Sequence, residues 1–182
     1  MPGRLDQEYE LIKKAQDGDH HAFGELYERH APSIYRYLYA HLNDSMDAED
    51  LTGEVFLKAW QSLPNYKERG FPFAAFLFKI ARNALVDLYR REKASDPKAP
   101  DELDGFKADG NLEVSEVIGS NMEHQRIVHM LSQLKPDYKE VLTLRFIGEL
   151  SPEETARVMK RSIGAIRVLQ HRALAALREK LR

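Results

Sequence analysis

Apolar residues recur at three- and four-residue steps along almost all of this chain, and the repeat fails once, between positions 95 and 123. Such spacing gives a helix one face to bury, whereas the strict alternation of a half-buried strand is nearly absent. The fold class expected is therefore all-α. The interruption carries Pro97, Pro100, Gly105, Gly110 and Gly119 among eight acidic residues, with only Lys98 and Lys107 to offset them. A segment so poor in apolar side chains cannot offset the entropy of ordering itself, and its like charges extend it. The expected architecture is two small helical domains, residues 1–94 and 124–182, joined by a flexible acidic linker over 95–123, with room for one turn of helix at 112–118.

Within the first unit the periodicity predicts helices over 5–17, from about 20 to 42 with Pro32 kinking or restarting it, over 46–63, and from Pro72 to about 93. Ala22, Phe23, Leu26 and Tyr27 share a face of the second; Leu51, Val55, Ala59 and Leu63 share one of the third. In the second unit the pattern predicts helices over 124–134 and 137–147, the latter with Tyr138, Val141, Leu142 and Phe146 on one stripe and Gly148 as its C-cap. Ser151-Pro152-Glu153-Glu154 then offers an N-cap, a proline at the first helical position and a glutamate three residues after the cap. The short helix it opens ends near Met159, and a turn through Lys160-Arg161-Ser162 leads to a last helix over 163–181.

The net charge of −2 hides a division. Residues 1–94 are near neutral, residues 95–123 carry a net −6, and residues 124–182 hold 12 basic against six acidic residues. A polyanion would meet a basic C-terminal unit. The chain has no cysteine, which excludes disulfides, thiol catalysis and cysteine-held zinc. Its apolar runs fall short of the roughly 20 residues that span a bilayer, and its first residues lack a signal-peptide core, so no membrane insertion and a cytoplasmic location are expected.

Two helices joined by a tight turn, the second longer and basic, have the form of a helix-turn-helix, whose second helix presents its N-terminal side chains to base edges in the major groove. Ser162, Ala165, Arg167, Val168, Gln170, His171 and Arg172 are placed for that task. Arginine pairs with guanine, glutamine with adenine, and alanine or valine meets a thymine methyl. Arg157, Lys160 and Arg161 are placed for phosphates. An ordinary helical hairpin with a solvated basic face would carry the same charges.

The third helix crowds Asp44, Asp47, Glu49, Asp50 and Glu54 into its N-terminal half, where the helix dipole favours acids. An acidic face repels phosphates, so beside a DNA-binding unit it suggests a protein partner. The loop and helix that follow mix cations with aromatics: Tyr66, Lys67, Arg69, Phe71, Phe73, Phe76 and Phe78, then Lys79, Arg82, Asn83, Arg90 and Arg91. Single-stranded DNA is held by such mixtures, bases stacking on rings while cations follow the backbone. Core packing must claim several of the rings.

Laid side by side, these segments resemble the extracytoplasmic-function branch of the bacterial sigma factors. Ala22-Phe23-Gly24-Glu25-Leu26-Tyr27 is similar to the family's region 2.1, and Asp47-Ala48-Glu49-Asp50-Leu51-Thr52-Gly53-Glu54-Val55-Phe56-Leu57-Lys58-Ala59-Trp60 to its region 2.2. The resemblance implies that Asp47, Asp50, Leu51, Glu54, Val55, Leu57, Lys58 and Trp60 meet core RNA polymerase at the clamp coiled coil of its largest subunit, with the flap as a further contact. Gly53 stands where the pattern has glutamine. Residues 65–91 resemble regions 2.3 and 2.4, which melt the −10 element and hold a flipped base. This implies contacts through Asn65, Tyr66, Lys67, Phe71, Phe76, Lys79, Arg82, Asn83, Asp87, Arg90 and Arg91, with Phe76 where many members have tryptophan. Residues 124–181 are similar to region 4, which binds the −35 element through the turn and last helix. Leu169 and Gln170 depart from the usual basic residue and leucine, which implies a divergent −35 sequence. The linker resembles the connector that threads toward the RNA exit channel, and the family's habit adds an anti-sigma factor as a partner.

A stand-alone helix-turn-helix repressor or activator would explain residues 124–182 but leave the docking motif and the aromatic loop idle. An enzyme finds less support: the chain has no P-loop, no Gly-x-Ser-x-Gly and no His-Glu-x-x-His. His20 and His21 adjoin Asp19, yet neighbouring side chains on a helix point apart. No catalytic residue, metal or cofactor is expected.

Overall fold

Pro32 lies inside a helix that continues through it. The computed structural model describes residues 4–68, 71–95 and 122–181. Arg69 and positions 96–121, which hold nearly all of the expected linker and its suggested turn at 112–118, lie outside the described residues. Helix α1 (Arg4–Gln16) is followed by a turn with Gly18 at φ +93° and by α2 (His20–Leu42). Asp19 opens α2 by accepting from the amides of Ala22 and His21, and these bonds hold its carboxyl below the usual range. Proline at 32 removes the amide that would bond the Glu28 carbonyl, but its position is exposed, so water can satisfy that group. Packing against α1 and α3 then carries the helix through.

Helix α3 (Ser45–Ser62) starts at Asp44, whose side chain accepts from the Asp47 amide, and it passes into a 3₁₀ turn, Leu63–Asn65. The stripe Leu51, Val55, Ala59, Leu63 is buried throughout, as the spacing required. Helix α4 (Phe73–Ser95) buries Phe73, Leu77, Phe78, Ala81 and Leu85 against α2 and α3.

The second unit holds α5 (Met122–Ser132), α6 (Pro136–Leu142), α7 (Pro152–Met159) and α8 (Ile163–Lys180). Here the sequence reading needs correction. The helix expected over 137–147 changes after Leu142 into a π-helical turn, Thr143–Ile147, closed by the Gly148 amide donating to the Thr143 carbonyl at 2.9 Å. The wider turn carries Phe146 off the buried stripe, leaving it 57% exposed. Gly148 itself is right-handed at φ −79°, and the left-handed residue is Glu149 at φ 53°. Glycine is needed at 148 for another reason. A Cβ there would stand 2.8 Å from the Leu144 carbonyl oxygen and 3.0 Å from the ring of Phe78, on α4 of the other unit.

The two units meet through that contact and through a buried polar cluster. Tyr37 of α2, fully enclosed, donates its hydroxyl to Glu140 Oε1 of α6 at 2.9 Å and sets its ring edge-on to Phe78. Arg82 Nε of α4 lies 3.4 Å from the same carboxylate, and His41 Nε2 lies 3.3 Å from its other oxygen. Thr143 Oγ1 donates to the Lys139 and Glu140 carbonyls, so the 3.2 Å contact with His41 Nε2 is made by the ring donating to the hydroxyl. Lys139, also buried, directs its ammonium toward the His41 carbonyl at 3.5 Å. Burial raises the Glu140 carboxyl and lowers the Lys139 ammonium and the His41 imidazolium.

Both halves of the capping box at α7 are made: the Glu154 amide donates to Ser151 Oγ, and the Ser151 amide donates to Glu154 Oε2 at 2.8 Å. Ser151→Ala is expected to cost about 1 kcal/mol while Ser151→Asp retains most of it, checked by urea unfolding followed by circular dichroism.

Candidate polymerase-docking and nucleic-acid surfaces

Helix α3 is amphipathic in an unusual way, because the side turned from the core is acidic and apolar at once. Asp47, Asp50 and Glu54 are exposed, and with them Leu57 at 57% and Met46 at 73%. Exposed apolar side chains among acids suit a protein partner. Trp60 is half-buried, stacked on His20 with centroids 4.8 Å apart and edge-on to Phe23, and Lys58 is partly exposed. Leu51 and Val55 are buried, so they position this face and do not form it. A side chain added at Gly53 would meet nothing within 4 Å. Glycine there serves no packing need, and it leaves bare backbone between Asp50 and Glu54.

The turn after α3 is tied down from a distance. Gln16, the last residue of α1, donates from Nε2 to the Leu63 carbonyl at 3.0 Å and the Tyr66 carbonyl at 2.8 Å. Tyr66 is 8% exposed, donates to the Phe71 carbonyl and packs its ring on Phe73 and Phe76. Enclosure raises its hydroxyl pKa. Tyr66 is thus a scaffold for the loop, and no base can stack on it. Phe73 and Phe78 also belong to the core, whereas Phe71 and Phe76 keep partly open faces. Asn65, Lys67, Lys79, Asn83, Asp87, Arg90 and Arg91 are exposed. Arg82 is half-buried and turned toward Glu140. A cleft of about 350 Å³ is lined by Arg82, Asn83, Val86, Asp87 and Arg90 of α4 and by Lys160 of the other unit.

The turn between α7 and α8 depends on Lys160, which is left-handed at φ 54° and whose amide reaches back to the Ala156 and Arg157 carbonyls. Ser162 caps α8 by accepting from the Ala165 amide at 3.1 Å, so that oxygen is already engaged. In the first half of α8 Ile166 is buried, and Ala173 is buried further on. Ala165, Arg167, Val168, His171 and Arg172 are exposed. Gln170 is half-buried, its Oε1 accepting from Arg145 Nε at 2.8 Å. Arg161 pairs with Asp137 at 2.6 Å, Arg167 lies 3.8 Å from Glu153, and the Arg157 guanidinium sits 5.7 Å over the Phe71 ring.

Comparison with known proteins agrees with this layout. Residues 26–95 match the family model for Sigma-70 region 2, and residues 124–177 match that for Sigma-70 region 4. The chain is an ECF sigma factor of RNA polymerase. It is 33% identical over 185 residues to the ECF RNA polymerase sigma factor SigD of Mycobacterium tuberculosis, covering 98% of this chain and 84% of the relative. With the ECF sigma factor BldN of Streptomyces coelicolor it shares 35% identity over 169 residues, 92% of this chain but 63% of that longer relative. Its fold matches that of CnrH, solved in complex with the cytosolic domain of CnrY, with a TM-score of 0.73, 27% identity and 97% of each chain covered. Sigma factors direct RNA polymerase to promoters in transcription initiation, and that is the role of this chain. Among the described residues no helix is long and apolar enough to cross a membrane.

Gln16 and the cluster around Glu140 escaped the sequence reading, since neither residue type nor local spacing marks a partner 47 or 103 positions away. Gln16→Ala is expected to cost about 1–2 kcal/mol and to speed amide hydrogen exchange around Leu63–Tyr66, with exchange in α8 unchanged.

Proposed function

We propose that the sigma factor divides its work among three surfaces. In this reading residues 1–94 dock on core polymerase and melt and capture the −10 element. Residues 124–182 read the −35 duplex, and residues 95–123 tether the two. The observation that carries it is the segregation of exposed charge: the open face of α3 holds Asp47, Asp50 and Glu54 around Leu57, while the start of α8 exposes Arg167, His171 and Arg172. Acids repel phosphate and leave a protein as partner for α3, the clamp coiled coil of the largest subunit. Cations at the start of a recognition helix suit the major groove. Phe71 and Phe76, beside Lys79, Asn83, Arg90 and Arg91, supply ring faces and charge for a single strand.

Phosphate positioning falls to Lys160 and Arg161, and base readout to Ala165, Arg167, Val168 and Arg172. The engagement of Gln170 by Arg145 supports a −35 preference unlike one read by a free glutamine. The chain makes and breaks no bond, and it works in the cytoplasm with the polymerase. An anti-sigma factor is a further partner, by likeness to the sigma factor RpoE of Bartonella quintana, whose co-crystal structure holds the anti-sigma factor NepR.

Asp50→Ala with Glu54→Ala should weaken binding to core polymerase at least about tenfold while leaving −35 duplex affinity intact. Arg167→Ala with Arg172→Ala should do the reverse, each lost guanine contact costing roughly 1–3 kcal/mol. Fluorescence anisotropy with labelled duplex and with core enzyme measures both. If the acidic pair changed only DNA affinity, this division of labour would be wrong.

A further inference from the structure

Helix α1 lends no side chain to the three surfaces, yet its last residue reaches the turn that leads into the −10 rings. Gln16 Nε2 carries two hydrogens and donates both, to the Leu63 carbonyl at 3.0 Å and to the Tyr66 carbonyl at 2.8 Å. Tyr66 in turn holds both of the partly open rings. Its hydroxyl donates to the Phe71 carbonyl at 2.7 Å, and its ring lies against that of Phe76 with centroids 4.7 Å apart. Earlier on α1, Glu8 Oε1 meets His30 Nε2 at 2.6 Å, and the His30 ring stands edge-on to Phe73, which packs on Tyr66 and Phe76. We infer that Gln16 and Tyr66 are positioning residues for −10 strand capture, fixing Phe71 and Phe76 before a strand arrives. The inference rests on the −10 reading and extends it to side chains that meet no base.

Burial separates this role from contact. Tyr66 is enclosed, and Gln16 is partly buried with its donors turned onto main-chain carbonyls. A segment that must be ordered as it binds loses that entropy from its affinity, whereas one already held has lost it in folding. Recognition also suffers when a contact group is loose by about 1 Å. Bonds to carbonyls fix the path of the backbone whatever side chains it carries. The backbone path on either side of Lys67 is therefore set by α1 and Tyr66, while exposed Asn65 and Lys67 remain available to a strand.

The test uses holoenzyme assembled from the full chain and core polymerase. The probe is a fluorescent single strand carrying the non-template −10 sequence of a promoter that this holoenzyme transcribes, beside the same strand with one base changed. Tyr66→Phe keeps the ring and removes the hydroxyl, and Gln16→Glu keeps the shape and removes both donors. Each should weaken binding of the first strand about five- to tenfold and narrow its preference over the changed strand, because a loosely held ring accepts more bases. The double variant should bind little worse than either, since both act on one segment. Affinity for core polymerase and for −35 duplex should stay as in the unmodified chain, and Lys13→Ala, at an exposed position of α1, should alter nothing. Unchanged strand affinity in both variants, with Phe76→Ala weakened, overturns the positioning role and leaves the −10 reading standing. Unchanged affinity in Phe71→Ala and Phe76→Ala as well removes the −10 reading, and the positioning role with it. An equal loss of −35 duplex affinity marks a general folding defect and also overturns the role.

Discussion

A carboxylate buried where two helical units meet sets terms for everything around it. Removing an ion from water costs several kcal/mol even after relaxation, and attraction to a neighbour returns that only with good geometry and satisfied hydrogen bonds. Glu140 is 2% exposed, and α2, α4 and α6 each contribute to holding it, through Tyr37 and His41, through Arg82, and through Lys139. An apolar side chain of similar volume would have made a tighter seam at lower cost. The helices on either side form their own packing without it: α3 buries its stripe within the first unit, and α8 seats Ile166 within the second. The cluster therefore governs how the units sit together, while each unit's own core governs whether it folds.

Much of this architecture was legible because helices announce themselves locally. The four-residue spacing of Leu51, Val55, Ala59 and Leu63 and the cap at Ser151 involve residues within a few positions of one another, and both were found as read. The surfaces were legible for the same reason: the acids of α3 and the cations of α8 lie on faces defined by the helical period. Where the reading failed, a non-local or geometric cause had won. Phe146 had the right spacing for burial, but the π-helical turn changed the period under it. Tyr66 looked like a base-stacking ring until Phe73 and Phe76 enclosed it. Nothing local marks Lys139 and Glu140 for burial, and only their encounter with α2 makes them interior groups.

Charge is sorted along this chain more finely than its net value suggests. The acids of α3 sit with exposed Leu57 and Met46, which lets a protein surface recognise them by shape as well as by sign. Of the cations in the second unit, Arg161 pairs with Asp137 at 2.6 Å and Arg167 approaches Glu153 at 3.8 Å, both exposed contacts of the kind that contributes little. Such side chains can exchange a weak internal neighbour for a phosphate at small cost. Arg82 differs, because its partner is enclosed.

Gly148 meets Phe78 across the seam with a hydrogen atom where any other residue would carry carbon. It acts as a spacer of minimum thickness, setting the closest approach that the two units can make. A single methyl at this position would press on the Leu144 carbonyl of its own unit and on the Phe78 ring across the joint. Shape at the seam is thus set at position 148, apart from the charges gathered around Glu140.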